Sequence, residues 1–249
     1  MSLLLLLASQ YCLDMIVMDP QATSHHRNVY CIGRNHPDLP IVQQDRHDVR
    51  DSSASEMAWP TLSSKSVSSL GSDTSVIPIT SCNQQVDWEA ELVVEIAEDC
   101  FQLMDFRAAR EHISRWGVGN DVTDRYWQKY GGGQWIRGKS FPGFAPFVFG
   151  ANSHQAALDN DLNLQISCFV NGQLMQRGLL SELICPPDQL VWQMSQAIRL
   201  LKGDLVFCGT FPGSALNRTP STYLQAGDQV ITEIHGLGRL VNPVEHSPG

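Results

Sequence analysis

The sequence predicts an α+β domain in which β-strands dominate. Three observations lead to this fold class. Most of the periodic segments alternate apolar and polar residues, which is the period of a strand. The dipeptide Asn171-Gly172, a strong signal for a two-residue hairpin turn, joins two such segments. Only two segments show the spacing of a helix, and at 249 residues the chain can bury the core of a single domain.

The first clear strand is predicted at residues 86–98, where apolar and acidic side chains alternate over the sequence VDWEAELVVEIAE. The two predicted faces carry Trp88, Ala90, Leu92, Val94 and Ile96 on one side, and Asp87, Glu89, Glu91 and Glu95 on the other. Residues 104–116 then predict a helix that Asp105 caps. The preceding residues 40–85 are rich in Ser, Asp and Gln, which is typical of a loop-rich or lid-like region.

The second half of the chain predicts a hairpin, a helix and two further strand segments. Residues 162–178 form the hairpin around Asn171-Gly172. An amphipathic helix follows Pro187 and ends at Gly203, with its apolar positions at Leu190, Met194 and Ile198. Residues 204–210 predict a strand, and residues 228–244 predict a second that folds back near 236–238.

Composition excludes several classes of function. A formal net charge of −9 argues against a general nucleic-acid-binding protein. Seven scattered cysteines without a C-x-x-C pair offer no zinc site and favour reduced thiols in a cytoplasmic protein. We expect residues 1–27 to be an N-terminal extension with no membrane role. Their apolar run lacks the positive flank of a secretory signal and is too short to span a bilayer.

The segment GGGQWIRGKS, residues 131–140, contains the G-x-x-x-x-G-K-S pattern of a phosphate-binding P-loop. That motif needs a buried strand before its glycines and a helix after its lysine. Here a polar and aromatic segment precedes the glycines, and Pro142 and Pro146 follow the pattern. The sequence therefore argues against a nucleotide site, and Lys139 needs another role.

Three acidic residues are candidates for a metal site. Glu89 and Glu91 are two apart on one predicted strand, so their side chains project from the same face about 7 Å apart and can share a cation. Asp121 follows small residues at the predicted end of another strand. Each also has a simpler interpretation, as a solvated strand edge or as part of a turn.

Five motifs occur in a fixed order between residues 28 and 244. They are the E-x-E strand, the pair Asn120-Asp121, the loop RGKSF, the hairpin VNGQLMQRG and the segment KGDLVFCGTFPG. In this order they resemble the fumarylacetoacetate hydrolase family. The resemblance implies the mixed β-sandwich roll of that family's C-terminal domain. It also implies one catalytic domain at residues 28–247 with a loop-rich lid at about residues 36–60.

The resemblance also implies the residues of the site. Glu89, Glu91 and Asp121 would bind Mg²⁺, with Mn²⁺ or Ca²⁺ as alternative ions, because carboxylates suit a hard octahedral cation. Lys139 would be catalytic, through stabilisation of an enolate. The implied substrate contacts come from Arg34, Arg137, Lys139 and Thr210.

The implied chemistry makes or breaks a bond next to a 2-oxo or 1,3-dicarbonyl group of a small-molecule acid. The first expectation is a homodimeric, Mg²⁺-dependent hydrolase that cleaves C–C bonds of acylpyruvate-like acids. An isomerase or decarboxylase of 2-oxo acids on the same metal site is an alternative. A non-catalytic protein that binds oxo acids is another.

Hydrolysis also requires a base for the attacking water. Family hydrolases use a His and a Glu three residues later, shortly after the G-R-N motif, but Leu39 and Val42 stand at these positions here. The later segment DRHDVRD offers His47 and Asp51, which share a face if the segment is helical. These two residues are the candidate catalytic dyad, and a solvated charged loop is the alternative.

Overall fold

A computed structural model describes residues 28–39 and 61–247 of the chain, and it confirms a β-dominated α+β fold. The strands are β1 Val29–Gly33, β2 Thr61–Lys65, β3 Leu70–Gly71, β4 Ile77–Ile79, β5 Val86–Asp87, β6 Ala90–Ile96, β7 Ile113–Asn120, β8 Thr123–Asp124, β9 Ala145–Val148, β10 Gln165–Val170, β11 Gln173–Leu179, β12 Leu205–Phe207, β13 Gln229–Ile234 and β14 Gly238–His246. The α-helices are α1 Phe106–Glu111, α2 Arg125–Tyr130, α3 Trp135–Lys139, α4 Ser153–Asp159 and α5 Pro187–Ser195.

The strands form two large sheets and a short ribbon. The first sheet has seven strands in the order β2-β1-β12-β6-β7-β9-β3. The second has five strands in the order β11-β10-β13-β14-β4, and β5 pairs with β8 in the two-stranded ribbon. Most pairs are antiparallel, but β1 with β12, β3 with β9 and β4 with β14 are parallel, so the fold is mixed as expected.

Strand β6 is buried on both faces, and this corrects the prediction of one apolar and one acidic face. Leu92 and Val94 belong to the main hydrophobic core, whereas Val93 packs on the other face with Leu205 and Phe207. Glu91 is only 1% exposed. Asp87, Glu89 and Glu91 are therefore buried, where each charge needs a partner, whereas Glu95 is partly exposed.

Both predicted hairpins are confirmed. Asn171 and Gly172 have φ angles of 51° and 77°, the left-handed conformation that a two-residue turn between twisted strands requires. Val170 pairs with Gln173 across this turn. Strands β13 and β14 form the second hairpin around residues 235–237.

Several predicted boundaries were wrong. The helix expected at residues 104–116 ends at Glu111, although Asp105 does cap it, because the next residues pair with β6 as strand β7. The helix expected to run to Gly203 ends at Ser195. Within the predicted loop-rich region, residues 61–65, 70–71 and 77–79 form strands. The predicted extension at residues 1–27 and lid residues 40–60 lie outside the described part.

The P-loop was correctly rejected. Helix α2, not a buried strand, precedes the glycines, and Lys139 is the last residue of the short helix α3. Among the described residues, no helix is both long and apolar enough to cross a membrane. Among the described residues, six cysteines form no disulfide bond; five of them are buried, whereas Cys82 is exposed.

Candidate metal centre

The fold brings Glu89, Glu91 and Asp121 together. Glu89 directly precedes β6, Glu91 lies within it, and Asp121 directly follows β7. Strands β6 and β7 are antiparallel neighbours, and the Asp121 amide donates a hydrogen bond to the Glu89 carbonyl at 2.9 Å. One carboxylate oxygen from each residue lies within 4.8 Å of the others, and all three side chains are buried. Their convergence follows from the pairing of the two strands that carry them.

Two buried lysines bind the Asp121 carboxylate, one at each oxygen. Lys65 Nζ donates to Oδ1 at 2.5 Å and to the Val122 carbonyl at 2.9 Å. Lys139 Nζ donates to Oδ2 of Asp121, to Glu89 Oε2 at 2.9 Å and to Thr123 Oγ1 at 3.0 Å. The lysine of the RGKSF loop therefore lies among the oxygens of two candidate metal ligands.

Arg125 joins Glu89 to a fourth buried carboxylate, that of Asp87. Its Nη2 donates to Glu89 Oε1 at 2.7 Å, and its Nε donates to Asp87 Oδ2 at 2.8 Å. Asp87 is fully buried and also accepts hydrogen bonds from the amides of Trp88, Ala215 and Leu216. Asp87 thus fixes both Arg125 and the turn at residues 215–217.

Glu91 has a simpler environment. Its Oε2 accepts one hydrogen bond, from the Gly209 amide at 2.8 Å. Gly209 has a φ of 102°, and a Cβ atom there would lie 2.7 Å from Cβ of Asn35. Only glycine permits this backbone to approach both Glu91 and Asn35. The Asn35 side-chain amide in turn donates hydrogen bonds to the carbonyls of Cys185 and Cys208. These bonds hold the loop that carries Arg34.

The cationic neighbours control the pKa values of two carboxyls. Burial by itself would raise the pKa of Asp121, but the ammonium groups of Lys139 and Lys65 outweigh it and lower the pKa to about 2. Burial likewise opposes ionisation of Glu89, yet Arg125 and Lys139 lower its pKa below the ordinary value. Both side chains are therefore carboxylates at neutral pH.

The pKa values of Glu91 and Lys139 are both raised. Burial raises the pKa of Glu91 well above its ordinary value, and the charges of Asp121 and Glu89 add to this effect. Burial would lower the pKa of Lys139, but Asp121 and Glu89 more than compensate and raise it. Lys139 is therefore a cationic hydrogen-bond donor while these contacts hold.

A cavity of about 560 Å³ opens above the carboxylates. Of the predicted substrate-binding residues, Arg34, Lys139 and Thr210 line its wall, together with Glu89 and Glu91. Arg137 is exposed and does not line this cavity, since its side chain lies against the backbone of the glycine loop. The structure thus brings three of the four predicted residues to one place and puts Arg137 elsewhere.

The Thr210 hydroxyl already has partners. It donates to the Ala90 carbonyl at 3.1 Å and accepts from Gln176 Nε2 at 2.9 Å. Gln176 also accepts a hydrogen bond from the Ala90 amide at 2.9 Å. These bonds fasten the Thr210 loop to the strand that carries Glu91. A direct bond from this hydroxyl to a substrate carboxylate, as predicted, requires it to leave Ala90.

Sequence reasoning missed Lys65, Asp87 and Gln176 as residues of the site. Lys65 lies in a serine-rich segment with no clear periodicity, so nothing marked it as buried. Asp87 continues the acidic alternation of Glu89 and Glu91, and that spacing was the available signal. The proposed dyad His47 and Asp51 lies outside the described residues.

The donor set fits a divalent metal. Three carboxylates within reach of one another suit a hard cation such as Mg²⁺, Mn²⁺ or Ca²⁺. The Lys139 ammonium already lies between oxygens of two of them, so this position attracts positive charge. Glu89, Glu91 and Asp121 are the residues that would hold the ion.

The fold and the site together define a β-rich protein with a buried cluster of carboxylates, and a lysine lies next to that cluster. The family described as fumarylacetoacetate (FAA) hydrolase C-terminal matches residues 28–245, and the chain belongs to this family. The resemblance seen in its motifs is thereby confirmed.

Known proteins with different activities resemble the chain. Oxaloacetate tautomerase FAHD2B, mitochondrial, of Bos taurus is 32% identical over 217 residues, which are 87% of this chain and 66% of that protein. The chain thus spans just under two thirds of this relative's length. Fumarylacetoacetate hydrolase from Exiguobacterium antarcticum has a TM-score of 0.73 and 29% identity, covering 89% of this chain and 76% of that one. 2-hydroxyhepta-2,4-diene-1,7-dioate isomerase from Mycobacterium marinum has a TM-score of 0.71 and 25% identity, covering 90% of this chain and 77% of that one.

Proposed function

We propose that the chain is a Mg²⁺-dependent enzyme that moves a proton next to the oxo group of a small 2-oxo acid, as a tautomerase or isomerase. The observation that carries this proposal is the convergence of three carboxylates and Lys139 at one cavity. The printed name of the bovine relative, a tautomerase, and that of the Mycobacterium marinum isomerase support the reaction class.

The residues of the cavity have distinct roles in this proposal. When bound at the three carboxylates, Mg²⁺ would supply Lewis-acid stabilisation of negative charge on the oxygens of a 2-oxo acid. Lys139 Nζ donates a hydrogen bond to the oxygen on which enolate charge develops. Arg34 at the cavity wall attracts the carboxylate of the substrate.

C–C bond hydrolysis, the first expectation from sequence, is the second candidate. It uses the same carboxylates and Lys139, and the name of the Exiguobacterium antarcticum protein favours it. It needs a base that activates water, just as proton transfer needs a group that takes up the proton. The proposed base for water, His47 with Asp51, lies outside the described residues, and the printed names of the bovine and Mycobacterium marinum proteins favour proton transfer.

The compartment and the assembly are also proposals. The described cysteines form no disulfide, which supports a reducing, cytoplasm-like compartment. The bovine relative is described in its printed name as mitochondrial. We propose a homodimer from the family resemblance.

An absorbance assay tests the reaction class. The enol form of oxaloacetate and an acylpyruvate are each mixed with the protein, with Mg²⁺ or with EDTA, and ultraviolet absorbance is followed. The rate with Mg²⁺ alone is subtracted, and the Glu91→Gln variant is the matched control. We expect faster enol conversion that EDTA and Glu91→Gln both abolish. Pyruvate release from the acylpyruvate would favour the hydrolase instead, and no acceleration with either acid would contradict both.

A further inference from the structure

The two lysines that bind Asp121 differ in their freedom to move. The Lys65 side chain has an exposed fraction of 0%, donates to a backbone carbonyl as well as to Oδ1, and does not line the cavity. Lys139 lines the cavity, and within the described part of the chain its ammonium donates to side-chain oxygens of Glu89, Asp121 and Thr123. Lys65 is enclosed by protein, whereas Lys139 lies at the wall of the cavity.

The Lys139 ammonium also uses the oxygens that a metal would need. It bonds one carboxylate oxygen of Glu89 and one of Asp121, and these residues are two of the three candidate ligands. An ammonium and a divalent cation repel each other, and they compete for the same lone pairs. Lys139 and a metal therefore cannot both occupy this gap.

The cavity gives Lys139 an alternative position. Its volume of about 560 Å³ leaves room for the ammonium to turn away from the carboxylates toward a substrate. Lys65 has no such route, because its side chain is enclosed and its second bond is to the Val122 backbone. One cation near Asp121 is thus exchangeable and the other is permanent.

We propose that the two lysines divide their roles at Asp121, an inference that rests on the proposed metal dependence. Lys65 is a positioning residue that holds Oδ1 and so orients the carboxylate. Lys139 fills the metal position in the metal-free protein, and it moves into the cavity when a divalent cation binds. The substrate-binding lysine consequently becomes available only after the metal has been loaded.

Metal affinity measures this exchange without reference to activity. Mn²⁺ binding is followed by calorimetry at one pH and one ionic strength for the wild type, Lys139→Met and Lys65→Met. Methionine keeps an unbranched side chain and removes the charge. Lys139→Met lacks the competing cation, so we expect it to bind Mn²⁺ at least about tenfold more tightly than the wild type. Lys65→Met loses the group that orients Asp121, and we expect no gain in affinity.

The outcomes distinguish displacement of Lys139 by the metal from a general effect of positive charge on metal affinity. Each variant removes one positive charge beside Asp121, so an equal gain in both would show that charge alone matters and would overturn the division of roles. A Lys139→Met affinity no higher than that of the wild type would overturn the exchange. Absence of any Mn²⁺ binding by both the wild type and Lys139→Met would instead reject the proposed metal dependence, and the inference with it.

Thermal unfolding provides a second readout. In EDTA, we expect Lys139→Met to unfold at a lower temperature than the wild type, because Glu89 and Asp121 lose a buried counter-charge. Mn²⁺ should then raise its unfolding temperature by more than it raises that of the wild type. Lys129→Met, which removes a cation from the cavity wall, is the control if Lys65→Met does not fold. Equal Mn²⁺ shifts in Lys139→Met, Lys129→Met and the wild type would contradict the exchange.

Discussion

At the scale of single residues, the three candidate metal ligands differ in what else they hold. Glu91 accepts one hydrogen bond, from a backbone amide. Asp121 binds two buried lysines, and Glu89 binds Arg125 and Lys139. Substitution of Glu91 should therefore disturb the metal site most selectively, whereas substitution of Asp121 also leaves buried charges without a partner.

We predict that Glu91→Gln separates activity from stability. Glutamine has nearly the shape of glutamate and can still accept the hydrogen bond of Gly209, but it removes a charged metal ligand. Loss of several kcal/mol of charge stabilisation should lower the Mg²⁺-dependent rate by more than about a hundredfold. The thermal midpoint in EDTA should be unchanged within about 2 °C, since one neutral hydrogen bond is retained. A variant with the rate of the wild type would contradict a role for Glu91.

Asp121→Asn should cost stability as well as activity. Lys65 and Lys139 keep their charges but lose the carboxylate that compensates them inside the protein. Breaking a buried ion pair from one side costs about 3–5 kcal/mol. Urea unfolding in EDTA measures this free energy, and a loss below about 1 kcal/mol would show that the lysines do not depend on Asp121.

The pH dependence provides the matching test. The pKa of Asp121 in the folded protein, about 2, lies below its ordinary value of 3.8, so the unfolded chain binds the proton more readily. The stability that Asp121 contributes is present above about pH 4 and is lost as the pH falls toward 2. The difference in unfolding free energy between the wild type and Asp121→Asn should shrink over this range. A constant difference would contradict the lowered pKa.

At the scale of elements, the short helix α3 explains why a glycine precedes Lys139. A Cβ atom on Gly138 would lie 2.5 Å from the Asp124 carbonyl and 2.6 Å from the Gln128 amide. Helix α3 therefore packs directly on the backbone of strand β8 and helix α2, and this contact positions Lys139 at the carboxylates. Gly138, the second glycine of the P-loop-like pattern, is therefore required for packing between these elements.

We predict that Gly138→Ala impairs the enzyme although alanine ordinarily favours a helix. The new methyl group meets rigid backbone atoms, so α3 must shift and carry Lys139 away from Glu89 and Asp121. We expect a stability loss of about 1–3 kcal/mol, as for other overpacked sites, together with a lower Mg²⁺-dependent rate. Gly172→Ala is the control for lost stability: the φ of 77° strains alanine there, but its Cβ would meet nothing within 4 Å and its turn does not line the cavity. Equal rates in both variants would contradict this role of the α3 contact.

At the scale of the whole molecule, we predict a homodimer. Several large apolar side chains stay exposed in the described residues, including Met104 at 89% and Leu158 at 74%. Such side chains are available to an interface of standard size. Sedimentation velocity at micromolar concentration should give about 55 kDa, twice the chain mass of 27.6 kDa. A single species near 28 kDa would reject the dimer.

The sequence predicts the parts of this fold whose signals are local. The Asn171-Gly172 turn and the alternation of β6 are both visible in a few neighbouring residues. The burial of Lys65 depends instead on β2 pairing with β1 and on Asp121, 56 positions away, and no local pattern records such contacts. Helix α2 did carry local signals, Asp124 as its N-cap and Gly131 at its C-cap, but its six residues are too few to show a helical period.

The site was predictable to the same extent. By spacing alone, Glu89 and Glu91 could be a solvated strand edge and Asp121 part of a turn. The resemblance of the five ordered motifs to the family joined the three residues in one metal site. The position of Arg137 could not be read in this way, because both cations of the RGKSF loop have the same local context and only the direction of helix α3 separates them.

We propose that Glu89, Glu91 and Asp121 bind one divalent cation. Crystals grown with Mn²⁺ and measured at its absorption edge test this site, because anomalous scattering locates the ion itself. We predict one anomalous peak per chain, about 2.0–2.6 Å from a carboxylate oxygen of each of the three residues, with Lys139 Nζ turned into the cavity. A fully occupied peak elsewhere, or no peak while the three carboxylates point apart, would contradict the claim.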